Sequence, residues 1–381
     1  MEIDYAFKKC ISNGTYGTIS KVDNTTIKKT IKRYDPTSII ELCFLKTYTH
    51  PHFIKLKKYE IDDKHIHLFL EFGGINIINY INTVKNPDII NIFKQLVSVL
   101  RFMEINNIVH GDLSANNIII DMKTEKVSII DFGAVHFNLN LSEKIKNEFK
   151  DIQISLCTET VEPPENKISG VSSVFDTYSI GTIMKVFTNK NSLIDLMIEP
   201  NPLKRITPQQ LILELKIKDE LVFVIEEITG DYNKFYLTEI NYKMISIVIK
   251  WLYDVCKCYN VNFKLGLAVY VLDKYIYIKG RESIKRSQLQ LIGITCLKIV
   301  CLLSHIEITT DEILYLCKNI YKLEELKNIF DDILKVLDYK VYMKTFDQDI
   351  KNIDYNKVLE TLLMCRNMKQ EQLKMVYESF E

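Results

Sequence analysis

The stretch "HGDLSANNIII", residues 110–120, decides how this chain is to be read. It sets a carboxylate, Asp112, five residues ahead of an amide, Asn117, and then enters an apolar run of β type. A carboxylate so placed can accept or orient the proton of a hydroxyl, and an amide oxygen is a hard donor suited to a divalent cation held by a nucleotide. Nineteen residues after Asp112, "DFG" brings a second carboxylate, Asp131, which can bridge Mg2+ to phosphates. Order and spacing together point to phosphoryl chemistry.

Upstream, "ISNGTYGTI" (11–19) lies between two β-type runs, where glycines let backbone N–H groups approach nucleotide phosphates without side-chain obstruction. Gly14, Gly17 and Ile19 are the candidate nucleotide contacts in this loop, and Glu71 and Gly73 in "EFGG" are candidates further on. A tight hairpin at Asp23-Asn24 places Lys28 and Lys32 on one face of the next strand, since side chains alternate with period two. Either could position phosphate. Lys28 leaves 13 residues before Glu41 and Lys32 only nine, so strand length favours Lys28. Glu41 lies on a helix that starts with Asp35 as N-cap and Pro36 in the first turn.

The 381 residues suffice for two cores, and 47% apolar with 26% charged residues describes a soluble globular protein. With 49 basic and 49 acidic residues there is no net field to draw the chain onto nucleic acid or an anionic membrane, so neither is expected as a partner. Nine scattered cysteines without a C-x-x-C pair suggest reduced thiols in a cytosolic or nuclear compartment and no zinc site. Neither a signal peptide nor a membrane anchor is visible. A β-rich part (1–72) is followed by a more helical one (73–215), and a weakly patterned stretch (216–236) marks the expected linker.

Residues 1–215 resemble a protein kinase domain, nearest in wording to the cyclin-dependent kinases. "NGTYGTISKV" resembles that family's glycine loop, and "PTSIIELCFLKTYTHPHFIKL" resembles its αC region, with Glu41 as the ion-pair glutamate. Pro163-Pro164-Glu165 stands where the family has Ala-Pro-Glu, Asp176 begins helix αF, and Arg205 is the expected partner of Glu165. The resemblance implies ATP and Mg2+ as cofactors: Asp112 would orient the substrate hydroxyl, Asn117 and Asp131 would hold the metal, and Lys28 with Glu41 would position ATP.

The departures are informative. Ser12 replaces a glycine. Gly111 replaces the Arg that clamps a phosphorylated activation loop, so no receptor for that phosphate is expected. Ser114 replaces a Lys at the transferred phosphoryl group, removing positive charge where negative charge develops, and slow transfer is expected. Only 29 residues separate Asp176 from Arg205, too few for the family's αG region, so protein substrates must be recognised elsewhere.

Residues 237–345 read as successive helices without a catalytic set, an all-α binding module by default. Their wording resembles a cyclin box: Trp251 on the first helix, "LAVYVLDKY" on the second, "LQLIGITCLKI" on the third. The resemblance places Met244, Trp251, Asp254, Arg286 and Gln290 at a groove for peptides bearing a basic residue and a Leu. Leu302 and His305 stand where cyclins grip their kinase, and Ile245 replaces the Arg expected to pair with Asp273. Residues 346–381 read as helix without a motif.

The expected fold is therefore a two-lobed α+β kinase-like domain with a trimmed C-lobe, followed by an all-α cyclin-like domain. The expected activity is phosphoryl transfer from ATP to Ser or Thr of protein substrates, with the cyclin-like domain activating the kinase through an intramolecular contact or recruiting substrate. The alternatives are a catalytically weak adaptor that recruits host cell-cycle kinases or substrates and, from "HGDLS", a small-molecule phosphotransferase. The fusion in an Ile-, Lys- and Asn-rich sequence suggests a large DNA virus and residence in an infected host cell.

Overall fold

The structure, a computed structural model, describes residues 12–14, 17–137, 157–167, 172, 174–188, 191–218, 240–280, 284–342, 345, 347, 353–365 and 370–379. The chain divides into two compact units, one drawn mainly from residues before 224 and the other mainly from those after. The expected linker at 216–236 lies largely outside the described residues.

The first unit opens with an antiparallel sheet of order β1-β2-β3-β5-β4, built from β1 (Ser12–Gly14), β2 (Gly17–Asp23), β3 (Thr26–Lys32), β4 (Leu56–Ile61) and β5 (His65–Glu71). Helix α1 (Pro36–Thr47) is inserted between β3 and β4. Its start follows the sequence expectation: the Asp35 carboxylate accepts from Thr37 N–H at 3.0 Å, and Pro36 occupies the first turn. The helix is apolar on nearly every side, and Ser38 through Leu45 are all buried. A helix patterned in that way requires cover all round rather than on one face.

β3 carries a correction. The turn between β2 and β3 is Asn24-Thr25, Asp23 pairs with Thr26, and an irregularity between Lys21 and Asp23 shifts the register. Because the side-chain period is two, a one-residue slip exchanges the faces. Lys28 and Lys32 do share a face, but it is the outer one. Lys29 and Ile31, on the opposite face, are buried, and Lys28 instead stands over the Phe69 ring, 5.6 Å from its centroid.

Beyond the sheet come α2 (Ile77–Thr83), α3 (Ile89–Ile105), a three-stranded sheet of β6 (Ile75–Asn76), β8 (Ile118–Ile120) and β9 (Val127–Ile129), and a β7 (Ile108–Val109)–β10 (His136–Phe137) pair. Gln95 on α3 clasps the β8–β9 turn, donating to Glu125 C=O at 3.0 Å and accepting from Val127 N–H at 2.9 Å. Three helices, α4 (Phe175–Phe187), α5 (Ser192–Met197) and α6 (Pro208–Glu214), complete this unit's described part.

The second unit is helical: α7 (Tyr242–Cys258), α8 (Leu265–Lys279), α9 (Leu289–Leu302), α10 (Thr310–Leu316), α11 (Leu323–Val336), α12 (Tyr355–Met364) and α13 (Gln370–Glu378). α9 lies close against α7, because a Cβ at Gly293 would stand 2.6 Å from Val248 Cγ1. The motif-free tail is part of this core: the Tyr253 hydroxyl donates to Asn356 Oδ1 at 2.7 Å, and Val358, Leu362, Leu373 and Tyr377 are buried.

Candidate active site

The site is assembled by β3, α1 and the two loops that follow β7 and β9. Lys29 Nζ donates to both oxygens of Glu41, at 2.8 and 2.7 Å, and to Asp131 Oδ1 at 3.0 Å. Lys29 and Glu41 are 7% and 3% exposed, so water competes little for these bonds. Burial alone would disfavour the ammonium, but the Glu41 and Asp131 carboxylates outweigh it and hold the lysine's pKa above its ordinary value. Glu41 is thus placed as expected, whereas the lysine facing it is Lys29, not Lys28 or Lys32.

Asp131 adopts a left-handed backbone (φ 64°, ψ 72°), uncommon for a residue with a side chain and typical of strained functional positions. It turns its carboxylate toward Lys29, while Phe132 stacks on Phe44 of α1 with ring centroids 4.1 Å apart. On the other side, Asn117 Nδ2 donates to Asp112 C=O at 2.8 Å and to Asp112 Oδ2 at 3.0 Å. With its NH2 group spent on Asp112, Asn117 leaves Oδ1 for a cation, and Asp131 keeps its second oxygen. Two hard oxygens of this kind fit Mg2+, which retains several ligands from phosphate and water.

Asp176 fixes the backbone that leads into Asp112, accepting from His110 N–H at 2.6 Å and Gly111 N–H at 3.1 Å. Burial pushes the Asp176 carboxyl above its usual range, and the neighbouring His110 and the two N–H bonds pull it back. Gly111 has φ 80°, a conformation that costs glycine little. The expected Arg205–Glu165 pair is present and buried: Nη1 lies 2.6 Å from Oε1 and Nη2 2.8 Å from Oε2, a bidentate bridge.

The sequence reading missed Thr158. Its N–H and hydroxyl both donate to Asp112 Oδ1, at 2.9 and 2.5 Å, so that oxygen is held by two neutral donors from a residue 46 positions away. Ser114, which replaces the expected lysine, is buried and supplies no charge.

At the nucleotide side, Gly14 pairs with Gly17 across the β1–β2 turn, and Ile19 lies opposite Lys29 in the β2–β3 register. A Cβ at Gly17 would stand 2.4 Å from the Thr30 carbonyl oxygen, so only glycine allows β2 to pass this close. Thr15, Tyr16 and the side chain of Ser12 lie outside the described residues. Glu71 closes β5, with its N–H bonded to Lys55 C=O at 2.9 Å. After it, Phe72 N–H bonds Thr25 C=O at 2.9 Å, and Gly73 makes no backbone hydrogen bond among the described residues, leaving an amide edge open.

In the second unit, Met244, Trp251 and Asp254 share a stripe of α7 at helical spacing, the first two half-buried and the last exposed. Ile247, 67% exposed, lies on the same stripe and was findable from its i+3 and i−4 spacing to Met244 and Trp251. Arg286 is exposed in the turn before α9, and Gln290 is half-buried in the first turn of α9. Leu302 and His305 are half-buried, and Ile245 is buried at 1% exposure.

Comparison with known proteins matches residues 5–235 to the protein kinase domain family, well over half of the chain. The chain belongs to the protein kinases. Residues 224–342 match the cyclin N-terminal domain, so a kinase domain and a cyclin domain occupy one polypeptide. This kinase chain is 26% identical over 200 residues to a probable serine/threonine-protein kinase of Encephalitozoon cuniculi, covering 49% of this chain and 60% of that one. It is 32% identical over 116 residues to the G2/mitotic-specific cyclin-B of Hydra viridissima, covering 29% and 28%. It is also 30% identical over 181 residues to an Acanthamoeba polyphaga mimivirus sequence bearing a serine/threonine-protein kinase name, covering 40% and 31%. The kinase chain therefore spans 60% or less of each of these relatives.

Proposed function

We propose that this kinase transfers the terminal phosphoryl group of ATP to Ser or Thr of protein substrates and carries its cyclin domain as an activating or recruiting module in cis. The observation that supports transfer most directly is the Lys29–Glu41–Asp131 cluster joined to the Asp112–Asn117 pair through Ile130 N–H, which donates to Asn117 C=O at 3.0 Å just before Asp131. Mg2+ bound with ATP would neutralise charge on the phosphates. Asp131 and the free oxygen of Asn117 would hold it, Lys29 would hold the phosphates, and Asp112 would accept a hydrogen bond from the substrate hydroxyl and orient it. Glu41 keeps Lys29 extended into the site.

For the cyclin domain, the support lies in α1. That helix carries Glu41, which holds Lys29, and the same polypeptide matches the cyclin N-terminal domain over residues 224–342. A domain tethered in the same chain acts at an effective concentration on the order of mM, so modest affinity suffices even with Leu302 and His305 at the gripping positions. The stripe Met244–Ile247–Trp251–Asp254 suits a substrate peptide with a Leu and a basic residue. Host cell-cycle proteins, in the cytosol or nucleus of an infected cell, are the partners this reading implies.

A second reading, a weakly active adaptor, is favoured by the uncharged Ser114 beside Asp112. Purified full-length protein, terminally labelled ATP and a Ser/Thr peptide library separate the two readings. Mg2+-dependent label on Ser or Thr, absent with Asp131→Asn, supports the kinase; equal label in both proteins rejects it.

A further inference from the structure

The second unit buries a lysine. Lys264 ends the turn Asn262–Lys264 that feeds α8 and is 3% exposed, and among the described residues its ammonium makes no hydrogen bond. Nζ stands over the Phe263 ring, 4.6 Å from its centroid, a contact that replaces little of the hydration lost. Burial pulls the amine's pKa down from 10.5 to about 8, and the Cys301 thiol and the Asp347 carboxylate act against that pull.

The groups around it leave one source of balancing charge. Burial pushes the Cys301 thiol of α9 up to about 12, and it lifts Cys256 of α7, which acts on Cys301, above the usual thiol range, so neither supplies an anion at neutral pH. Lys298, also on α9, gives its ammonium to Ile308 C=O at 2.7 Å. Asp347, in the chain that leads into the tail, is 1% exposed, and its carboxylate rests on the first turn of α8: a Cβ at Gly266 would stand 2.5 Å from Oδ1 and 2.8 Å from Oδ2. Helix dipoles favour this arrangement at both ends, with an anion at the start of α8 and a cation near Cys301 in the last turn of α9.

That last turn leads straight into Leu302 and His305. The N–H groups of Leu303, Ser304 and His305 bond back to the carbonyls of Ile299, Cys301 and Leu302 at 2.9, 2.9 and 3.0 Å. An unbalanced ammonium beside this turn would draw in water and open it. We propose that Asp347 and Lys264 form a buried electrostatic lock by which the tail holds the end of α9 and the surface carrying Leu302 and His305. Both are positioning residues. The lock is independent of phosphoryl transfer; only its bearing on a kinase partner rests on the proposed reading of Leu302 and His305.

The test uses the full-length chain, with melting of the second unit read from the fluorescence of Trp251 on α7, the only tryptophan. The folded chain gives up the Lys264 proton near pH 8 and the unfolded chain keeps it to about 10.5, so the stability that the neutral amine contributes, present above about 10.5, is lost as pH falls to about 8. Asp347→Asn, which keeps the side chain's shape and removes its charge, should lower Tm by about 5 °C at pH 7 and by much less at pH 10, where the amine needs no partner. Adding Lys264→Met should bring Tm at pH 7 back to within about 2 °C of wild type and remove the pH dependence of the difference. The amides of Leu303, Ser304 and His305 should exchange about tenfold faster in Asp347→Asn and like wild type in the double variant. A loss in Asp347→Asn that does not change with pH, no recovery on adding Lys264→Met, or faster exchange confined to the tail would each overturn the lock. Should Asp347→Asn not fold at pH 7, the double variant must still fold, and its failure to do so would overturn the lock equally.

Discussion

Lys29 on β3 reaches both carboxylate oxygens of Glu41 on α1, at 2.8 and 2.7 Å, while its immediate neighbour Lys28 stands on the opposite face of the strand over Phe69. Removing one member of a buried pair leaves the other charged and unpartnered, at a cost of roughly 3–5 kcal/mol. The site thus depends on one lysine of the three in β3.

The metal assignment predicts a thermal shift. Saturating Mg-ATP should raise the Tm of the wild-type chain by about 2–4 °C, and ATP without Mg2+ should do much less. Asp131→Asn should show almost no Mg2+-dependent shift. Equal shifts in the two proteins would contradict the assignment of Asp131 as a metal ligand.

Because Gly111 supplies no guanidinium, activity should not require activation-segment phosphorylation. Phosphatase-treated and untreated protein should turn over a short peptide at nearly the same rate. A loss of about tenfold, equivalent to about 1.4 kcal/mol in barrier height, would reveal a receptor elsewhere.

Much of this site was legible because its parts occur at fixed separations in the chain. Glu41, Asp112, Asn117 and Asp131 stand in the structure where their spacing put them, and Glu165 meets Arg205 across 40 residues. The lysine was not legible, since a register irregularity near Val22 exchanges the faces of β3 and nothing in the local composition marks it. Thr158 escaped for another reason: its bond to Asp112 spans 46 positions and has no periodic signature. Ile247 could have been found, as helical spacing alone puts it beside Met244 and Trp251.

The two roles proposed for the cyclin domain separate by kinetics. Trp251→Ala should raise KM for a protein substrate bearing a docking peptide by roughly tenfold and leave kcat on a short peptide unchanged. Leu302→Glu, at the half-buried position where cyclins grip their kinase, should lower short-peptide kcat if the domain activates the kinase. A short-peptide rate untouched by Leu302→Glu, in protein of normal Tm, would leave recruitment as the domain's role.

Acid should destabilise the chain through His50. Burial, with His52 close by, lowers its pKa from about 6.5 to about 4, so the fold favours the neutral ring. The unfolded chain takes up the proton first, and this contribution, present above about pH 6.5, is lost as pH falls toward 4, by up to about 3 kcal/mol. Tm measured from pH 7 to 4 should drop, and His50→Asn should flatten that limb. An unchanged slope in the variant would rule His50 out as its source.

The most direct measurement of the central claim compares Lys29→Met and Lys28→Met in the full-length chain, by kcat/KM for ATP with a short Ser/Thr peptide. The account predicts a loss of about a hundredfold or more for Lys29→Met, roughly 2.7 kcal/mol of transition-state stabilisation, and a change within about threefold for Lys28→Met. Equal losses in the two variants, or a larger one at Lys28, would contradict the site as built on Lys29, Glu41 and Asp131.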